Sequence, residues 1–319
     1  MASMITMFLQ SAYSMIDGLF VSNLIGDTAL SAVNVAWPVI AVVTAIGTGV
    51  GCGGAVMMST KQGEGKNEES NIVRANVILA LLASSIVVTI LFLVLLTPLL
   101  KLMGAEGELL RLSQIYGRVM LTGGVLQILS CGLTPLLRND NRAVSAMMIM
   151  VGGLFANLGL DFVFMYVFHM GIGGAAGASL CAQLFTTLCC LIILGTKKTD
   201  PIRFSQFMIR KEYWKKIFKT AVSPFGISLT PSLLILYHNV ACLKFGGDLA
   251  VNAYALISST VGSYRVLLIG VAEGIQPLAS YAYGAHDFHA IRKIRNKAVI
   301  TAIGVSFFLF IFKIGRAHV

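Results

Sequence analysis

Nine apolar runs separated by polar connections set the pattern of the 319-residue chain. They cover roughly 4–25, 28–58, 75–97, 114–137, 143–167, 174–195, 218–245, 249–280 and 298–313. Each but the last is long enough to cross a hydrocarbon core about 30 Å thick as a helix. Irregular backbone cannot face lipid, because its N–H and C=O groups would go unsatisfied. The pattern therefore predicts an all-α polytopic membrane protein.

Basic residues give the runs a direction. Lys61, Lys66 and Arg74 follow the second run, and Arg138 and Arg142 follow the fourth. The stretch from Lys197 to Lys219 follows the sixth, and Arg292 to Lys297 follow the eighth. Only Lys101, Arg111, Arg118 and Lys244 occupy the alternate connections. Connections rich in Lys and Arg stay in the cytoplasm. The N-terminus is then cytoplasmic, and the expected location is the cell (inner) membrane, crossed many times.

The second half repeats the first. A shift of 221 positions lays Gly26-Asp27-Thr28-Ala29 on Gly247-Asp248-Leu249-Ala250, Gly53 on Gly274, Ser59 on Ser280 and Gly63 on Gly284. The repeat predicts two homologous helical bundles. Residues 1–196 form an N-lobe of six helices, 197–217 a cytoplasmic linker, and 218–313 an incomplete C-lobe of about three helices. Lys211 to Lys216 reads as an amphipathic helix on the inner membrane surface. Residues 314–319 are expected to be a non-native tail, with further C-lobe helices missing beyond it.

Composition agrees. Charged residues make up 12% of the chain, against roughly 25% in soluble domains, and mean hydropathy is +0.82. The net charge of +10 does not imply a nucleic-acid partner, because the basic residues are topology signals spread over alternate connections. The six cysteines lie in apolar runs without zinc-ligand spacing and read as packing residues. Gly49 to Gly54 contains a literal GxGxxG, but no strand precedes it, so its glycines read as helix contacts. No nucleophile or catalytic metal cluster is visible, and the chain is not expected to be an enzyme.

The chemistry lies in acids placed inside apolar runs. Asn157 and Asp161 are four apart and share a helix face. A charge at mid-bilayer costs about 2.5–3.5 kcal/mol even on the mildest scale, so such a residue faces a cavity or a partner. Asp17 lies in the first run, four residues after Tyr13. Ser179 and Gln183 share a face of the sixth run. His238 aligns with Asp17 in the repeat and is either a titrating group or a neutral histidine bonded to a carbonyl. Arg265 and Glu273, eight apart in the eighth run, read as a compensating pair.

Several of these stretches together resemble the multidrug and toxic compound extrusion (MATE) transporters, in the bacterial MepA-like branch. Tyr13-Ser14-Met15-Ile16-Asp17-Gly18-Leu19-Phe20-Val21 resembles the family's first-helix motif. Gln276-Pro277-Leu278 through Tyr283-Gly284-Ala285 resembles its motif ending helix eight. Leu137-Arg138-Asn139-Asp140-Asn141 is similar to its turn between helices four and five, and Asn157 with Asp161 matches its fifth-helix pair. The resemblance implies alternating access and export of organic cations or drugs against inflowing H+ or Na+, with no other cofactor. It implies a cation site at Asp17, Asn157 and Asp161, with Ser179 as a further ligand and Na+ as the one metal to be considered. Tyr13, Gln183 and His238 are candidates for the substrate cavity. Where some relatives carry an acid in helix seven, this chain has Pro231-Ser232-Leu233, so no C-lobe sodium site is expected. Expected partners are small organic cations and the lipid bilayer, and the expected state is a monomer. The alternatives are a lipid-linked oligosaccharide flippase of the same superfamily, which needs a cationic cavity, and a non-transporting membrane scaffold.

Overall fold

The computed structural model describes residues 6–7, 9, 17–18, 20–195, 206 and 209–317. Described residues up to Leu24 are helical. Eight α-helices follow: α1 Asp27–Gly63, α2 Asn67–Leu102, α3 Gly107–Thr122, α4 Gly124–Asn139, α5 Ala143–Asp161, α6 Gly171–Gly195, α7 Lys211–Gly284 and α8 Phe288–Ala317. A short π-helix, Phe162–Val167, follows α5. Among the described residues four helices are long and apolar enough to cross a membrane: Thr28–Gly63, Asn67–Leu102, Ala143–Val167 and Gly171–Gly195. The bent pair α3 and α4 makes a fifth. These five are the second to sixth expected runs, and most of the first lies outside the described residues.

The fourth run is not the single straight span expected. It breaks at Gly123, where α3 and α4 meet at 58°. The Leu180 side chain fills the space beside Gly123, 2.2 Å from where a Cβ would stand, so any larger residue would have to displace it. Buried Gln127 donates to the Met120 carbonyl at 2.8 Å across the break. That bond satisfies a backbone group the bend sets free, which an apolar environment demands.

The seventh and eighth runs share one helical segment, α7, in place of two separate elements. It cannot be straight. The rings of His238 and Tyr254 stack at 5.0 Å, although the helix between them would cover about 24 Å if extended. The chain doubles back between those residues, around the expected connection near Gly246 and Gly247. Both arms lie against α1: Phe225 and Ala221 against Gly49, and Tyr281 against Gly63.

No element boundary falls at residue 217. Lys211 already begins α7, and its first turns are docked on the first lobe in place of forming a separate surface helix. Tyr213 and Trp214 pack on the core and Ile217 is fully buried, while Lys211, Lys215 and Lys216 are exposed. The Arg210 N–H donates to the Asn76 side chain at 3.1 Å. Residues 197–205, 207 and 208 of the expected linker lie outside the described residues. α8 continues to Ala317, through most of the expected tail.

Close packing of the first lobe rests on the glycines of α1. A Cβ on Gly51 would stand 2.4 Å from the Gly132 backbone, and one on Gly47 would stand 2.7 Å from the Ile128 carbonyl oxygen. The GxGxxG stretch is therefore a helix-contact surface, as expected. The turn from α1 to α2 carries an exposed charge cluster. Lys61 and Lys66 hydrogen-bond Glu64 and hold its carboxyl down to about 2.

Candidate functional site

α5 places Asn157 and Asp161 one turn apart on its inner face. Asp161 is fully buried and Asn157 is 6% exposed. The Asn157 amide donates to Asp161 Oδ2 at 3.0 Å. This is the shared-face arrangement that the spacing predicts. The helix changes character at the acid itself: α-helical bonding ends at Asp161, and the π-helix begins at Phe162. Single-turn π segments recur at functional sites because they re-aim side chains and loosen the backbone ladder. The sequence reading had one uninterrupted span here.

Asp17 reaches the same point from the first helical segment, with its side chain within hydrogen-bonding distance of Asp161. Its Oδ1 is buried and has no hydrogen-bond partner among the described residues. The two acids proposed from sequence therefore lie side by side. Two carboxylates this close repel unless a proton or a metal cation lies between them.

A fourth group was missed. Tyr116 on α3 is 5% exposed and feels the charge of both Asp17 and Asp161. The signal was present, since a phenol inside an apolar run has a hydroxyl that needs a partner. Its spacing on its own helix points to no companion, because the companions are on two other helices.

The remaining candidates divide. Ser179 and Gln183 lie half-buried on α6, the helix packed on α5. Neither bonds to the acids among the described residues, and Gln183 Oε1 has no partner among them. His238 does not join the acids. It is exposed, its Nδ1 lies 2.8 Å from the Leu234 carbonyl of its own helix, and its ring stacks on Tyr254. That is the contact with a carbonyl which one of the two readings expects. Tyr13 lies outside the described residues.

The pairing of Arg265 with Glu273 is overturned. Glu273 pairs with Arg138 at the end of α4, and Arg265 is exposed. Sharing a helix face made Arg265 a plausible partner, but a guanidinium from the other lobe is nearer. Arg74, read as a topology signal, is in fact buried. It stands 3.5 Å from Asp140, each side chain 1% exposed, and donates to Asn71 at 2.8 Å. Gln62 donates to the same aspartate at 3.3 Å.

The MatE family model matches residues 2–167 and 227–316. The multidrug export protein MepA of Staphylococcus aureus (strain N315) is 26% identical over 310 residues, covering 95% of this chain and 67% of that protein. The protein of the same name from Staphylococcus saprophyticus is 25% identical over 302 residues, covering 94% and 66%. The chain thus spans about two thirds of these relatives' length. Among solved structures, a MATE protein in complex with MaL6 superposes with a TM-score of 0.92 at 26% identity, covering 98% of this chain and 69% of that one. An outward-facing multidrug resistance MATE family transporter gives 0.91 at 26%, with the same coverage. A Pyrococcus furiosus transporter of the MOP superfamily, described as having a binding pocket of reverse polarity, gives 0.88 at 27%, covering 97% and 68%.

Proposed function

Because the chain belongs to the MatE family of membrane transporters, we propose that it exports organic cations or drugs by alternating access, in antiport with H+ or Na+. The observation that carries this reading is the approach of Asp17 to the buried Asn157–Asp161 pair. In the proposed cycle a proton or sodium ion enters from outside and discharges the two acids. A bound lipophilic cation then loses its counter-charge and leaves outward. Asp17 and Asp161 supply the negative charge, Asn157 holds Asp161 in position, and Tyr116 offers a hydroxyl to either. Ser179, on the adjacent α6, is a further ligand once the helices repack. The membrane potential adds about 2.3 kcal/mol per charge per 100 mV. That shifts a two-state equilibrium more than tenfold.

The protein works in the cell (inner) membrane as a monomer, with its N-terminus and the basic connections in the cytoplasm. MepA, to which the chain is similar, is a multidrug export protein, which supports drugs as the cargo. A flippase for lipid-linked sugars would need cations in the first-lobe chamber, where this chain has acids. In cells loaded with ethidium, Asp161→Asn is expected to slow extrusion at least tenfold at equal expression. Extrusion at the unaltered rate would end the assignment.

A further inference from the structure

Besides the contact of Phe225 and Ala221 with Gly49, the two lobes touch where α1 and α7 end, through residues that the internal repeat relates to each other. Gly63 ends α1 and Gly284 ends α7. A Cβ on Gly63 would stand 2.0 Å from the Tyr281 carbonyl oxygen, and one on Gly284 would stand 2.0 Å from that of Thr60. Each glycine thus receives the other helix's backbone, as a pseudo-twofold contact requires. Thr60 donates to the Ser280 carbonyl at 3.5 Å alongside them.

One step further into the cleft the contacts become polar. Arg138 of α4 pairs with Glu273 of α7, with side chains 10% and 22% exposed. Beside them Asn139 and Gln276 exchange amide hydrogen bonds at 2.9 and 3.3 Å. Both pairs join the first lobe to the second. They sit at the end bearing Lys61, Lys66 and the Arg292–Lys297 cluster.

We infer that Arg138–Glu273 and Asn139–Gln276 form a latch that holds the cytoplasmic ends of the lobes shut over the Gly63–Gly284 contact. This rests on the alternating-access reading above. A seam made only of apolar side chains would expose bare hydrocarbon on opening. Charged and amide pairs exchange their partners for water at little net cost, which suits a contact that is made and broken. The position also connects the latch to the acids. Arg138 and Asn139 end α4, and the chain then turns through Asn141 into α5, whose far end carries Asp161. A change in the packing of α5 at the acid therefore pulls directly on the latch.

Cys52 provides a native reporter. It lies on α1, deeper than Gly63, close enough to sense the charges of Glu273 and Arg138. Cys190 is fully buried in the first lobe and reports on its folding. The experiment labels the full chain in inside-out vesicles with a membrane-impermeant maleimide and reads each cysteine by peptide mass spectrometry. Cys52 in the unaltered chain is expected to react slowly. Glu273→Gln should speed its labelling about tenfold, and Gly63→Ala should do the same by wedging the helices apart, with Cys190 protected in both. Gln276→Ala and Gly284→Ala provide further openings. Unchanged Cys52 labelling in whichever of these variants keep Cys190 protected overturns the latch. A chain that shows the labelling pattern but moves no drug keeps the latch and loses the function. A chain that moves drug with Cys52 indifferent to the variants does the reverse.

Discussion

At the residue scale, the outcome depends on whether a group's partner lies on its own helix. Asn157 and Asp161 were legible because both members of the pair are four apart on one helix and bond as that spacing requires. Tyr116 was not, because its neighbours Asp17 and Asp161 come from two other helices. Glu273 was given the wrong partner for the same reason: Arg265 shares its helix, while Arg138 approaches across the lobes. Arg74 is the clearest case. A count of basic residues puts it in a connection, whereas the fold buries it against Asp140. Removing one member of a buried ion pair leaves an uncompensated charge and costs about 3–5 kcal/mol. Arg74→Ala is therefore expected to lower the thermal unfolding midpoint sharply in detergent. The paired replacement Arg74→Met with Asp140→Leu should recover most of the loss. Equal midpoints for the single variant and the parent would show that the pair contributes no stability.

At the element scale, hydrophobic runs located the helices well and their internal breaks badly. The runs from 28 to 195 all correspond to observed helices, since only a helix satisfies its backbone in lipid. The bend at Gly123 escaped because the side chain packed against it, Leu180, comes from a distant part of the chain. The π-helix after Asp161 escaped because Phe162–Val167 is as apolar as the α-helix before it. The GxGxxG stretch gives a sharp test of the packing. A methyl group on Gly51 meets the Gly132 backbone, which has no side chain to move aside. Overpacking of this kind costs about 1–3 kcal/mol. Gly51→Ala should destabilise the chain by that amount in a detergent unfolding assay, whereas Gly304→Ala, which meets nothing within 4 Å, should not. Equal effects of the two would remove the close-contact explanation.

At the scale of the whole molecule, the 221-residue repeat proved informative beyond domain counting. It paired Gly63 with Gly284 and Ser59 with Ser280 in sequence, and the structure brings both pairs to the junction of the lobes. The expected linker was less well drawn, because burial of Ile217 and the docking of Tyr213 and Trp214 carry the helix back to Lys211. The acid pair lies at the far end of α5, and the inter-lobe pairs lie just before its start, at the end of α4. The most direct test of the cation-discharge account is drug-driven cation flux from proteoliposomes holding the protein, with sodium and pH varied independently. The account predicts that adding an organic cation drives counterflow of either H+ or Na+, and that Asp17→Asn and Asp161→Asn each abolish it. Drug movement that proceeds without counterflow, or coupled flux that survives the loss of both carboxylates, would contradict it.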